Sequence, residues 1–425
     1  MSLLIEIPAL IRVSLAFAAI LLAIRRKLSL GHAFLIGGLF LSFLFTLPPA
    51  LMLKAMAIAA LAPRTLSLAG IVGLILILSS IMEKTGQMQR MLDAFQGLIK
   101  NPRLNLLVFP ALIGLLPMPG GAVFSAPMVK QLGAHANLSG NRLSFVNYWF
   151  RHIWEYWWPL YPGILLAAVL ADVNLALLVP VLAPLTLVSV AFGYGVLKRS
   201  AVAGANPVTR GRIKPFVIEL LPILLVIIPG LLLGLLLTKS FPDMPIAKEL
   251  GLIMALLAAI FQVCRKNRLP LARLIQVSAN RELLKMVYMI FAILIFKEIL
   301  EKSGAVGLIS KELVWLNIPV FAITLALPFM IGMITGITVA FVGSTFPILI
   351  PLIHSLDPGA SLVPYVMLAM TCGFAGVLLS PLHLCLILSN QYFNAEMKRV
   401  YRLLWLPCAG LMGVSCLYFF GLKMF

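Results

Sequence analysis

Windows of about 20 mostly apolar residues, long enough to cross a hydrocarbon core of roughly 30 Å, recur along the whole chain. Clear cases are 7–24, 215–237 and 246–263, and short loops carrying Lys and Arg separate many of the windows. One water-soluble core could not bury that many spans. Hydrophobic residues make up 62% of the chain and charged residues only 11%, against about 25% charged in a soluble domain. The expectation is an all-α polytopic membrane protein.

The net charge of +19 fits the same reading. Basic residues sit in the connections, as the positive-inside rule requires. None of these stretches has the polar surface of a nucleic-acid module, so no nucleic-acid partner is expected. The five cysteines form no CxxC or Cys/His metal spacing and read as small buried hydrophobes. The N-terminus lacks a basic n-region, and its A-x-A match lies inside the apolar run. Residues 7–24 therefore read as a true span.

Further spans fall near 30–51, 66–82, 143–166, 175–196, 283–300, 361–391 and 403–422, with 143–166 broken at Trp158-Pro159-Leu160-Tyr161-Pro162 and 361–391 interrupted at Ser380-Pro381. Two elements differ. The stretch 104–130 breaks at Pro117-Met118-Pro119-Gly120-Gly121, and the stretch 317–355 is interrupted too. Each reads as a re-entrant hairpin, tolerated at membrane depth only where protein or water covers the free backbone. The first hairpin keeps Lys84, Arg90, Lys100 and Arg103 on one side with Lys198, Arg199, Arg210, Arg212 and Lys214. That side is the cytoplasm. Ten crossings result, with both termini outside the cell (inner) membrane.

Landmarks repeat in order. Glu83-Lys84-Thr85-Gly86 returns as Glu301-Lys302-Ser303-Gly304, and Ile113-Gly114 returns as Ile331-Gly332 at the same separation. Trp158-Pro159-Leu160-Tyr161 is matched by Ser380-Pro381-Leu382-His383 at nearly that separation. Residues 1–200 then form a first repeat, 201–214 a cytoplasmic basic linker, and 215–425 a second repeat. Each holds five transmembrane helices plus one hairpin, an odd number of crossings, so the second copy is inverted. Inverted repeats with broken helices mark secondary transporters, whose sites lie near the midplane.

The segments PMPGGAVFSAPMV (117–129), NYWFRHIWEYWWPLYPG (147–163) and GFAGVLLSPLHLCLILSNQYF (373–393) carry a resemblance to the ion transporter superfamily. The chain is most similar to the domain-of-unknown-function 401 (DUF401) family of integral membrane proteins. The resemblance implies a scaffold, a mobile transport region, an elevator-type motion and a homodimer. Characterised relatives hold substrate and Na⁺ with Ser-Asn-Thr motifs at the hairpin tips. This chain has Ser125-Ala126-Pro127 and Gly343-Ser344-Thr345 there instead.

The hairpin tips and broken helices supply the candidate residues. For substrate these are Gly120, Gly121, Ser125, Asn147, Arg151, His152, Ser344, Thr345 and His383; for the coupling ion, Glu155, Thr335, Thr338, Gly343, Ser380 and Asn390. Freed helix N-termini attract anions and freed carbonyls attract Na⁺, although small residues also serve helix packing alone. Asn147, Arg151 and Glu155, at i, i+4 and i+8, predict one shared helix face. Arg151 then either pairs with Glu155 or offers its planar fork to a carboxylate. His152 and His383 suit a coupled proton. Lys297 and Glu301 read as an i, i+4 ion pair.

These features point to a secondary transporter for a small organic anion, driven by Na⁺ or H⁺. A cation/proton antiporter using Glu155 is the alternative, and a membrane-embedded enzyme is a weaker one. HExxH and GxSxG are absent, so no enzyme activity is expected. No cofactor or metal is expected beyond Na⁺ as coupling ion. The partners are the bilayer, the anion and a second copy of the chain.

Overall fold

A computed structural model describes residues 6–99, 101–118, 120–134, 138–198, 211–270, 276 and 281–424. Most of the basic linker expected at 201–214, and Pro119 of the first break, lie outside the described residues. Every regular element among the described residues is a helix. Six helical stretches among them are long and apolar enough to cross a membrane: Pro63–Lys84, Leu175–Leu197, Ile213–Ser240, Ala247–Lys266, Thr338–Leu356 and Met397–Lys423.

The first half begins with α1 (Ala9–Arg25) and α2 (Leu30–Leu44). The single span expected over 30–51 is instead two helices, because α3 (Pro49–Leu61) starts anew. Thr46 turns the chain at φ 53, and two consecutive prolines follow. Neither proline can donate an amide to a continuing helix, but Pro49 suits a first helical position. Then come α4 (Pro63–Lys84), α5 (Gln87–Phe95), α6 (Pro102–Ile113), α7 (Ala122–Ala134), α8 (Gly140–Arg151), α9 (Pro162–Ala171), α10 (Leu175–Leu182) and α11 (Leu185–Lys198). The second half contains α12 (Ile213–Ser240), α13 (Ala247–Lys266), α14 (Arg281–Lys302), α15 (Ala305–Trp315), α16 (Val320–Thr335), α17 (Thr338–Leu356), α18 (Leu362–Leu378), α19 (Leu384–Tyr392) and α20 (Met397–Lys423).

Both expected interruptions exist. Helices α6 and α7 pack on one another around a break at 114–121, as do α16 and α17 around 336–337. The second arm of the later pair is 19 residues long. Helix α15 joins α16 through a bend of 118°.

Helix starts recur at fixed spacing. Helices α4, α5 and α6 begin at positions 63, 87 and 102, and α14, α15 and α16 follow at positions 281, 305 and 320, with the same separation in all three pairs. Helices α8, α9 and α10 begin at positions 140, 162 and 175, and α18, α19 and α20 follow at positions 362, 384 and 397, again with one separation throughout. Even the left-handed residues correspond: Gly86 with Gly304, and Asp172 with Asn394.

Packing between the halves is reciprocal. Helix α2 packs on α14 as α13 packs on α4; α9 packs on α17 as α19 packs on α7. Helix α12 meets α5 where α15 meets α1. Acidic residues fasten both of the last contacts. Glu219 of α12 is 3.3 Å from Arg90, and Glu312 of α15 accepts the backbone N–H groups of Ala9 and Leu10 at 2.5 and 2.8 Å. In the latter pair a carboxylate meets the open N-terminus of α1, where the helix dipole favours negative charge.

Candidate functional site

The 143–166 span is broken, as its Trp158-Pro159-Leu160-Tyr161-Pro162 segment predicts, but the break begins earlier than that segment. Helix α8 stops at Arg151, and turns occupy 152–161 before Pro162 opens α9. The aromatic residues of the turn explain its stability. Trp154 Nε1 donates to the Ala111 carbonyl at 2.8 Å, Trp158 Nε1 to Leu115 at 3.0 Å, and Tyr161 Oη to Gly114 at 2.7 Å. Carbonyls freed where α6 ends thereby gain partners away from water. Gly114 is required here. A Cβ on it would lie 2.0 Å from the Arg151 carbonyl oxygen.

Ending α8 at Arg151 corrects the shared-face expectation. Glu155 lies beyond the helix, so the i, i+4 geometry with Arg151 is lost. No Arg151–Glu155 ion pair forms. Glu155 Oε1 instead accepts the Thr338 hydroxyl at 2.6 Å, and its Oε2 lies 3.8 Å from His152 Nε2. Arg151 is only 2% exposed. Its Nη2 donates to the Met118 carbonyl at 2.8 Å, its guanidinium lies over Gly121, and its Nε has no partner among the described residues. A buried guanidinium without a carboxylate in direct contact is costly unless another anion meets it.

His152 and His383 come from opposite halves. His152 Nδ1 sits 2.6 Å from the Tyr148 carbonyl, and its Nε2 sits 3.2 Å from His383 Nε2. The Tyr148 ring packs against both imidazoles, at 4.8 and 5.3 Å between centroids. His383 caps α19 after the break at Ser380-Pro381. Gly336 approaches this break closely, at φ 66, with Ser380 Oγ 2.7 Å from where its Cβ would stand. A side chain there would be both strained and obstructed.

Arg151, His152, Glu155, Thr338 and His383 all line one cavity of about 320 Å³, together with Gly120, Gly336 and Cys385. A second cavity of about 200 Å³ shares Leu76, Pro117, Met118 and Met286 with it and extends to Glu83 and Glu282. It therefore reaches the end of α4 and the start of α14. At the other end of α4, Asp172 faces Lys248 at 2.9 Å and Arg64 at 3.2 Å. Partial burial opposes ionisation of Asp172, but the Lys248 hydrogen bond and the Arg64 charge outweigh it and hold the carboxyl below its usual range.

The remaining candidates lie off this cavity. Asn147 donates to the Ala122 carbonyl at 3.0 Å and to Ser389 Oγ at 2.9 Å, clamping α7 and α19 to α8. Asn390 accepts from Ser144 at 2.5 Å. Ser125, Thr335, Ser344 and Thr345 bond to carbonyls of their own helices. Gly343 lies against Ile293, and the Ser380 hydroxyl accepts the Leu382 N–H at 3.2 Å. Lys297 and Glu301 pair at 3.0 Å, as their spacing predicts. Sequence reasoning missed Cys385, which lines the cavity two positions beyond His383. Its only signal was that proximity to His383.

Long apolar helices, with polar side chains buried at the breaks between them, define a multi-pass α-helical membrane protein. Residues 9–419 match the family described as "Protein of unknown function (DUF401)", and the chain belongs to it. Comparison with curated proteins gives no match.

Proposed function

We propose that the protein is a secondary active transporter for a small organic anion, a carboxylate, driven by Na⁺ or H⁺. One observation carries this reading: Arg151 is buried beside a cavity, has no carboxylate partner among the described residues, and leaves Nε free. A guanidinium fork matches two carboxylate oxygens. The two imidazoles at the same cavity supply a proton carrier.

The architecture supports alternating access. Constant offsets between helix starts and reciprocal packing favour two inverted repeats of five crossings and one re-entrant hairpin each, ten crossings in all. Both hairpin breaks and both broken helices contribute lining residues to the one cavity, as in transporters built from inverted repeats. Basic loops favour a cytoplasmic face at the end of α4 and both termini outside the cell membrane. The cavity leading to Glu83 then opens inward, and the Asp172 pairs close the outer side. An elevator motion within a homodimer completes the reading.

Uptake by proteoliposomes, with a carboxylate panel and an imposed Na⁺ or pH gradient, tests it. Gradient-driven uptake of one of these acids is expected. No flux across the panel, or leakage indifferent to the gradient, sinks it.

Glu155 favours a second reading, cation/proton antiport. Among the described residues it is the one carboxylate that lines the 320 Å³ cavity. A Glu155→Gln variant that still exchanges protons for cations rules this reading out.

A further inference from the structure

Three potential metal-binding atoms converge in the cavity. One ring nitrogen each from His152 and His383 and the Sγ of Cys385 all lie within 4.8 Å of one another. They come from separate places: His152 from the turn after α8, and His383 and Cys385 from the start of α19. We infer that His152, His383 and Cys385, with Glu155 as fourth ligand, form a binding site for a divalent transition-metal ion such as Zn²⁺.

The distances suit this ion. Tetrahedral Zn²⁺ with Zn–N near 2.0–2.1 Å separates two ligating nitrogens by about 3.3 Å. The two imidazole Nε2 atoms stand 3.2 Å apart. The free oxygen of Glu155, Oε2, is 3.8 Å from His152 Nε2, while Oε1 is held by Thr338. A modest rotation of the carboxylate would bring it into range.

The surroundings suit it too. With Nδ1–H of His152 donated to the Tyr148 carbonyl at 2.6 Å, its Nε2 keeps a lone pair facing His383. A backbone carbonyl behind a ligating imidazole is the usual outer support of a metal-bound histidine. In a direct His–His hydrogen bond His383 Nε2 would carry the proton and donate it to His152 Nε2. A cation between the rings lets both Nε2 atoms act as acceptors. Nitrogen and sulfur donors select Zn²⁺ or a neighbouring divalent transition metal over Na⁺ or Mg²⁺. Ligands from both halves mean that the ion would tie the break after α8 to the break before α19.

The inference stands apart from the transport reading, because it is tested by binding and needs no flux. Co²⁺ is titrated into the purified, reduced full chain in a Cys264→Ser/Cys416→Ser background, which removes the two less buried thiols. One Co²⁺ per chain is expected, with a thiolate-to-cobalt charge-transfer band that Zn²⁺ bleaches. Cys385→Ser should abolish the band. His152→Ala and His383→Ala should each weaken binding beyond the roughly 10–100-fold cost of losing an outer-shell partner. If a variant fails to fold, thiol labelling of the unaltered chain replaces it: Zn²⁺ should slow modification of Cys385 at least tenfold and leave Cys264 unaffected. A chain without the band, a band unchanged by Cys385→Ser, or labelling of Cys385 indifferent to Zn²⁺ overturns the inference.

Discussion

His152 and His383 face each other through their Nε2 atoms at 3.2 Å, although they lie in opposite halves of the chain. Groups in such contact do not act independently, and their mutational effects should couple. His152→Gln and His383→Gln are each expected to depress gradient-driven flux, with the double variant little worse than either. Flux measured on all three closes the cycle. Simple multiplication of the two losses would mean that the pair does not act as a unit.

Arg151→Lys preserves the charge but removes the fork. Loss of a charged hydrogen bond costs about 1.5–3 kcal/mol, so the apparent affinity for the carboxylate should fall about tenfold to a hundredfold. Thermal stability should change less than in Arg151→Ala, which also loses the guanidinium packed over Gly121. Concentration-dependent uptake checks the first point and unfolding in detergent the second. Wild-type affinity in the Lys variant would show that the planar fork does not matter.

Gly114 and Gly70 make a matched pair of glycine sites. A methyl at Gly114 would lie 2.0 Å from the Arg151 carbonyl, whereas one at Gly70 meets nothing within 4 Å. Gly114→Ala should destabilise by about 1–3 kcal/mol through forced backbone displacement. Gly70→Ala should be neutral or stabilising by up to about 1 kcal/mol, because helical glycine is entropically costly. Midpoints of thermal unfolding in one detergent decide the comparison, and equal midpoints would contradict it.

Asp172→Asn tests the ion pairs at the far end of α4. The folded carboxyl titrates below its usual range, so its contribution is complete above the ordinary Asp value of about 3.9. It is lost as pH falls through the lower folded value. The variant should therefore be less stable than wild type at neutral pH, and the gap should close in strong acid. The side chains are 43% and 58% exposed at the Arg64 pair, so each pair contributes at most about 1 kcal/mol. Unfolding measured across pH reads the gap, and a constant difference would exclude titration of Asp172 as its source.

Much of the helix plan was legible because prolines, glycines and apolar length are local signals. The break at Ser380-Pro381 ends α18 just before the proline. The Glu-Lys-Thr-Gly and Glu-Lys-Ser-Gly landmarks end in left-handed glycines that start α5 and α15. The end of α8 was not legible, because indole and phenol donors reaching across to α6 stabilise it. For the same reason Arg151–Glu155 pairing, one of the two alternatives left open for Arg151, gave way to bonds with Met118 and Thr338. Cys385 stayed hidden because its neighbour His152 is distant in sequence. Intramembrane side chains such as Ser344 and Thr345 look polar in sequence, yet they spend that polarity on their own helix backbone.

Asp172 and Asn394 occupy matching left-handed positions in the two halves, yet only the first is charged. On the proposed reading of two inverted repeats, identical halves could close on either face with equal free energy. On that reading, a carboxylate between two cations on one face, and an amide at the corresponding place on the other, would remove that degeneracy. The preferred resting side would then be written in one side-chain atom at each of these two positions. Removing the charge, as in Asp172→Asn, would abolish the two ion pairs and level the two faces.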